Sequence, residues 1–217
     1  MPDFAARRTM MVDTQVRPSD VTKFPVIEAM LAIPRERFVP EAQQEAAYVG
    51  ETLALAPGRV LLEARTLAKM LDALDLQADE LVLDLGAGMG YSSAVMARLA
   101  EAVIALEPLD ELADEAEAAI AATGANNVIV ERAPLVDGAP RHGPYDVIVV
   151  QGGIEVFPEA LAGQLKDGGR AAAVFMEGAL GVVRIGVRRE GVMRWRDVFN
   201  AAAPVIEGFE RKRSFAL

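Results

Sequence analysis

Two acidic residues and a run of glycines carry the chemistry that is most legible in this chain. The apolar run Leu81-Val82-Leu83 closes on Asp84. Gly86, Gly88 and Gly90 follow at alternate positions, with Ala87 between the first two and Tyr91 after the last. This is the layout of a strand, a glycine-rich turn and a helix in a Rossmann-like unit. Glycine has no Cβ, so the backbone can turn sharply and lie close to a ligand. The start of the helix then offers unpaired N–H groups. A second apolar run, Val103-Ile104-Ala105-Leu106, ends in Glu107, whose carboxylate can accept both hydroxyls of a ribose.

The glycine spacing is G-x-G-x-G, narrower than the G-x-G-x-x-G that cradles a pyrophosphate. It favours S-adenosyl-L-methionine over a dinucleotide and disfavours a nicotinamide dehydrogenase. Candidate cofactor contacts are therefore Asp84, Gly86, Ala87, Gly88, Gly90, Tyr91 and Glu107. No residue is assigned a catalytic role. Arg59 and Glu63 read as an exposed pair ahead of a helix, with binding of a substrate carboxylate or amine as the alternative. His142, the single histidine, reads as a solvated loop residue.

The elements that must position these groups follow from periodicity. Residues 1–19 show little, and Arg17-Pro18-Ser19-Asp20 reads as a turn. Helices are expected over 21–32, 41–47 and 62–74, the last with Leu67, Met70, Leu71 and Leu74 on one face. Between the first two, Pro34 and Pro40 keep the chain extended or turning. Pro57-Gly58 is a turn signal. This part shows no clear strand, so residues 1–76 are expected to form a helical cap over the substrate entrance. Residues 77–217 are expected to form the core of the same single domain. There, helices over 92–100, 109–122 and 158–165 alternate with strands that include 103–106, 128–130, 146–150 and 170–176. Gln151-Gly152-Gly153 should break the fourth strand, and Asp167-Gly168-Gly169 should be a turn. Residues 182–187 and 193–199 should pair as a hairpin across Arg189-Glu190-Gly191. The alternation predicts an α/β fold, a mostly parallel sheet covered by helices on both faces, with an antiparallel C-terminal hairpin.

Bulk properties narrow the function. The chain has 217 residues, 52% of them apolar, enough for a large core. Lys and Arg number 22 against 32 Asp and Glu, a net charge of −10, which argues against general nucleic-acid binding. Cysteine is absent, which excludes disulfides, thiolate nucleophiles and cysteine-bound metal, and one histidine cannot build a histidine metal cluster. No apolar stretch is long enough to span a bilayer. The first residues, with Asp3, Arg7 and Arg8, lack the apolar region of a secretory signal. The expectation is a cytoplasmic protein without a metal, nucleic-acid or membrane partner; its oligomeric state is left open.

Further motifs run through the chain: Val26-x-x-x-Met30-x-x-Ile33-Pro34-Arg35-x-x-Phe38-Val39-Pro40, Ala47-Tyr48, Gly90-Tyr91-Ser92-Ser93-Ala94 and Asn127-Val128. Pro144-Tyr145-Asp146-Val147-Ile148-Val149 and Pro158-x-x-Leu161-x-x-Gln164-Leu165-Lys166-Asp167-Gly168-Gly169-Arg170 follow. In the order and spacing of these motifs, over roughly residues 10 to 210, the sequence resembles the protein-L-isoaspartate O-methyltransferase family of class I methyltransferases. The resemblance implies S-adenosyl-L-methionine as cofactor and methylation of the carboxylate of isoaspartyl residues in peptides or proteins.

The sequence departs from the family at two places. Where the family reads approximately G-Q-T-I-S-Q-P, this chain has Gly58-Arg59-Val60-Leu61-Leu62-Glu63-Ala64, with Leu62 in place of the hydroxyl residue. Where the family has Gly-Asp-Gly, it has Ala133-Pro134-Leu135, with Asp137 nearby. These departures keep two alternatives open: a divergent paralogue with another methyl acceptor, and a non-catalytic protein that kept the fold.

Overall fold

The computed structural model describes residues 3–211. Its central strand is β3 (Leu81–Leu85), an apolar segment buried on both faces as parallel sheets require. β3 pairs in parallel with β4 (Ala102–Leu106) on one side and β6 (Tyr145–Ile154) on the other. β5 (Val128–Glu131) extends the sheet beyond β4, and β7 (Leu165–Glu177) beyond β6, both in parallel. β8 (Leu180–Arg189) and β9 (Val192–Asn200) add an antiparallel end, giving the order β5-β4-β3-β6-β7-β8-β9. Glu190 and Gly191 join the last two strands with φ of 52° and 79°, the doubly positive pattern of a type I′ hairpin turn. The mostly parallel α/β sheet and its antiparallel hairpin are those expected from the sequence.

Side-chain alternation along the strands divides the core between the sheet's two faces. Val82, Val103, Val147, Val149, Ala172 and Val174 point to one face. There they meet α3 (Ala64–Leu74), α4 (Tyr91–Met96), α5 (Asp110–Ala121) and the N-terminal elements. Leu83, Leu85, Ile104, Leu106, Ile148 and Val150 point to the other. That face is covered by α6 (Glu159–Ala162), residues of the 133–139 loop, and Ile206 and Phe209 of the C-terminal segment.

Several local expectations are corrected. Residues 4–19 are helical throughout: α1 (Phe4–Met11), a π-helical turn Val12–Val16 and a 3-10 turn Arg17–Ser19. Met11, Val12 and Val16 from this stretch are buried in the core. α2 (Phe24–Ala32) starts three residues later than expected. The amides of Thr22 and Lys23 are drawn instead to Asp72 Oδ1, at 3.0 Å each. Of the two courses left open between the prolines the chain takes the turning one, a 3-10 turn Arg35–Phe38, while the helix expected over 41–47 is 3-10, Glu41–Tyr48.

The N-terminal part does contain strands. β1 (Leu53–Ala56) and β2 (Arg59–Leu61) form a separate antiparallel hairpin across Pro57-Gly58. Gly58, at φ 71°, supplies the left-handed position after proline that a type II turn needs. Gln151-Gly152-Gly153 does not end the fourth parallel strand. β6 runs to Ile154 because Gly153 pairs with Val174 on one side and bridges to Val205 on the other. Asp167-Gly168-Gly169 lies inside β7, where the register with β6 shifts. The helices expected over 92–100 and 158–165 are shorter, ending as Tyr91–Met96 and Glu159–Ala162. No helix among the described residues is long and apolar enough to cross a membrane.

Candidate functional site

The strand order reverses at β3, and in open α/β sheets the crevice at such a point, outside the carboxyl ends of the strands, is where ligands bind. Asp84 and the glycine loop leave β3 there, Glu107 leaves β4, and Gln151 lies in the later part of β6. Asp84 is fully buried. Its Oδ2 accepts from Ser92 Oγ at 2.5 Å and Ser93 Oγ at 2.6 Å, and its Oδ1 from Gln151 Nε2 at 2.7 Å. Burial pushes its pKa up to about 6, against the three hydrogen bonds that favour the ionised form; the nearby Glu107 charge also raises it. Asp84 thus ties the loop strand to α4 and to β6.

The loop is held as tightly. Gly86 and Ala87 donate to Leu106 O at 2.9 and 3.2 Å, and Gly90 donates to Ala87 O at 2.9 Å. Gly86, Gly88 and Gly90 have φ of 73°, 57° and 90°, the left-handed region that favours glycine. A Cβ on Gly90 would lie 2.7 Å from Ile120 Cδ1, so that glycine lets the loop seat against α5. The ring of Tyr91 packs edge-on to Phe38, with centroids 5.7 Å apart, and the guanidinium of Arg35 lies 4.8 Å from its centroid. Tyr91 therefore faces the N-terminal elements.

Glu107 is also fully buried, and its carboxylate is fully engaged. Oε1 accepts from Arg59 Nε at 3.0 Å and from the Leu109 amide at 3.1 Å. Oε2 accepts from the Gly88 amide at 3.0 Å and again from Arg59 Nε at 3.2 Å. Arg59 is thus not an exposed residue ahead of a helix: it is 7% exposed and reaches from β2 into the crevice. Its partner in the sequence reading, Glu63, is half-buried and instead accepts from Thr66 Oγ1 at 2.6 Å. The pairing of Arg59 with Glu107 was missed because it spans 48 residues, and the one local signal was a charged residue in the otherwise apolar stretch Val60-Leu61-Leu62.

Apolar side chains lie against the glycine loop. The position of a Gly88 Cβ lies 2.7 Å from Leu55 Cδ1, on β1. That of Gly86 lies 3.5 Å from Leu135 and 3.6 Å from Ile206. Leu62 is 2% exposed within the core, and its carbonyl accepts from Arg35 Nη2 at 2.6 Å. Pro134 and Asp137 are exposed. His142 is half-buried, with Nε2 3.3 Å from Glu131 Oε2. Among the described residues no group of three or more His, Cys, Asp or Glu is placed to hold a metal ion.

Comparison with known proteins agrees with this architecture. Residues 7–185 match the family model described as protein-L-isoaspartate(D-aspartate) O-methyltransferase. A protein-L-isoaspartate O-methyltransferase 1 of Rhodopseudomonas palustris (strain HaA2) is 41% identical over 167 residues, covering 77% of this chain and 68% of its own. A protein-L-isoaspartate O-methyltransferase 2 of Pelobacter propionicus is 36% identical over 187 residues, covering 85% and 82%. Among solved structures, one named protein-L-isoaspartate O-methyltransferase superimposes with a TM-score of 0.78 at 22% identity, over 94% of this chain and 66% of its own. A beta-aspartate methyltransferase from Plasmodium falciparum, in complex with S-adenosyl-L-homocysteine, gives 0.79 at 17% identity, over 92% and 98%. At these identities the two structures establish the shared fold.

Proposed function

Because the chain belongs to the protein-L-isoaspartate(D-aspartate) O-methyltransferase family, we infer that it transfers a methyl group from S-adenosyl-L-methionine to the carboxylate of an isoaspartyl residue in a peptide or protein. The observation that carries the reading is the convergence of the glycine loop and Glu107 at the carboxyl ends of two adjacent parallel strands. Within it, Gly86, Ala87 and Gly88 form the backbone floor and Glu107 is the acceptor for ribose hydroxyls. Asp84, Gly90 and Tyr91 fix the loop from behind. An acceptor carboxylate is already ionised at neutral pH, so the chain needs no general base to activate it. Leu62 offers that acceptor no hydrogen bond, so its orientation falls to other groups. We place the reaction in the cytoplasm.

In this conformation the residues do not accommodate the cofactor. Glu107 is fully bonded within the chain, and Leu55, Leu135 and Ile206 lie against the loop glycines. Two measurements test the reading. Titration calorimetry with S-adenosyl-L-methionine should give a binding isotherm, and an isoaspartyl peptide incubated with methyl-labelled cofactor should acquire a base-labile ester. Binding without label on the peptide would assign the chain a different acceptor. The absence of any binding heat would overturn the cofactor assignment itself.

A further inference from the structure

We propose that Arg59 is a self-supplied ligand of the cofactor site. Its guanidinium and the cofactor's ribose are mutually exclusive partners of the Glu107 carboxylate, and the β1–β2 hairpin is a strap that lifts before the cofactor enters. This rests on the cofactor reading above.

The argument begins with the carboxylate's capacity. Three N–H donors hold the Glu107 carboxylate, the amides of Gly88 and Leu109 and the Arg59 Nε–H shared between both oxygens, and the residue has no solvent exposure. A ribose hydroxyl can bind only by displacing a donor. Two of the donors are the amides of Gly88 and Leu109, in the segments that shape the crevice, and removing them would dismantle it. The third, Arg59, is a side chain on a three-residue strand. That strand pairs only with β1, in a sheet separate from the main one. Val60 and Leu61 pack into the core, but no strand pairing ties the hairpin to the main sheet, so this is the element that can yield.

The same hairpin makes the second closure. Leu55 on β1 lies where a ligand would pass against Gly88. Both obstructions therefore move together if the hairpin swings about its ends, and its turn, Pro57-Gly58, is exposed. There is space beside it: an open groove of about 690 Å³ lies against Leu55 and Met89, lined also by Val39, Glu41, Leu112 and Glu115. Apolar Leu55 and cationic Arg59 thus stand in for the cofactor, one against the loop and the other on the acid.

The test is titration calorimetry with S-adenosyl-L-homocysteine on the wild-type chain, Arg59→Gln and Arg59→Lys. Removing the competing cation should tighten binding by about tenfold or more in Arg59→Gln, with Arg59→Lys in between. Equal or weaker binding by Arg59→Gln overturns the strap. A parallel measurement needs no variant. In the wild-type chain, the side-chain Nε–H resonance of Arg59 should move as S-adenosyl-L-homocysteine saturates the site. A resonance that stays fixed at saturation overturns the strap while leaving the methyltransferase reading intact. No binding by any of the three proteins overturns both.

Discussion

Asp84 has no solvent exposure, and its pKa is raised to about 6 chiefly by that burial. The consequence for stability has a definite sign. The folded chain holds this proton at a pH where the unfolded chain, with an ordinary Asp near ~3.9, has released it. The stabilising contribution is therefore complete below about pH 4 and is lost as pH rises through about 6. A shift of about two units corresponds to roughly 3 kcal/mol. The unfolding free energy of the wild-type chain minus that of Asp84→Asn should fall by about that amount between pH 4 and 7 and stay flat above it. Urea denaturation at a series of pH values checks this, and a difference independent of pH would show that Asp84 is ionised throughout. The sequence made Asp84 and Glu107 legible because an acid that closes an apolar run is locally conspicuous. What each acid binds was not legible: Ser92, Ser93, Gln151 and Arg59 reach them through strand order and loop closure, which no local window contains.

Glycines at two elements do opposite kinds of work. Gly153 on β6 is a packing residue. A Cβ there would lie 2.4 Å from Ala203 O, with Gly153 N donating to Pro204 O at 2.8 Å and Ile206 N donating to Gly153 O at 2.9 Å. Gly153→Ala must push the C-terminal segment off the strand and should cost about 1–3 kcal/mol of unfolding free energy. A loss within error in chemical denaturation would mean the segment is not held there. Gly88, at φ 57°, is met by the end of a flexible leucine, so Gly88→Val should be tolerated in the fold, at a cost of about 1–2 kcal/mol for the backbone strain. It should abolish binding of S-adenosyl-L-homocysteine in calorimetry, because the side chain occupies the approach to the loop. Unchanged affinity would place the cofactor elsewhere. Elements with strong periodicity, such as α3 and the parallel strands, were legible. The β1–β2 hairpin was not, since its two strands of four and three residues are too short to show alternation against the surrounding apolar run. The extension of β6 through Gly152 and Gly153 was hidden because glycine at that position serves a neighbouring backbone instead of a turn.

Across the whole molecule, Arg170 ties the end of α3 to the sheet. Its Nη1 and Nη2 bind the two carboxylate oxygens of Glu80 at 2.8 Å each, Nε donates to Leu74 O at 2.8 Å, and Nη2 also donates to Asp75 O at 3.2 Å. Both side chains are mostly buried, at 23% and 11% exposure, so the pair is screened less than a surface bridge. The ties continue outward: Lys23 Nζ reaches Asp75 Oδ1 and Asp72 O, both at 2.7 Å, joining the start of α2 to the end of α3. N-terminal helices, α3 and sheet are thus connected in series, and we take the chain to unfold as one cooperative unit. Arg170→Met keeps the apolar stem but removes the cation from two carbonyls and from the Glu80 carboxylate, which keeps only the Gln77 amide at 2.8 Å. Charged hydrogen bonds of this kind contribute about 1.5–3 kcal/mol, so the variant should lose roughly 2–4 kcal/mol of unfolding free energy. The unfolding curves of the wild-type chain followed by Trp195 fluorescence, which reports β9, and by far-ultraviolet circular dichroism, dominated by the helices, should coincide. Separated curves would show that the N-terminal elements melt independently of the sheet. A variant as stable as the wild type would show that Arg170 closes the joint without holding it.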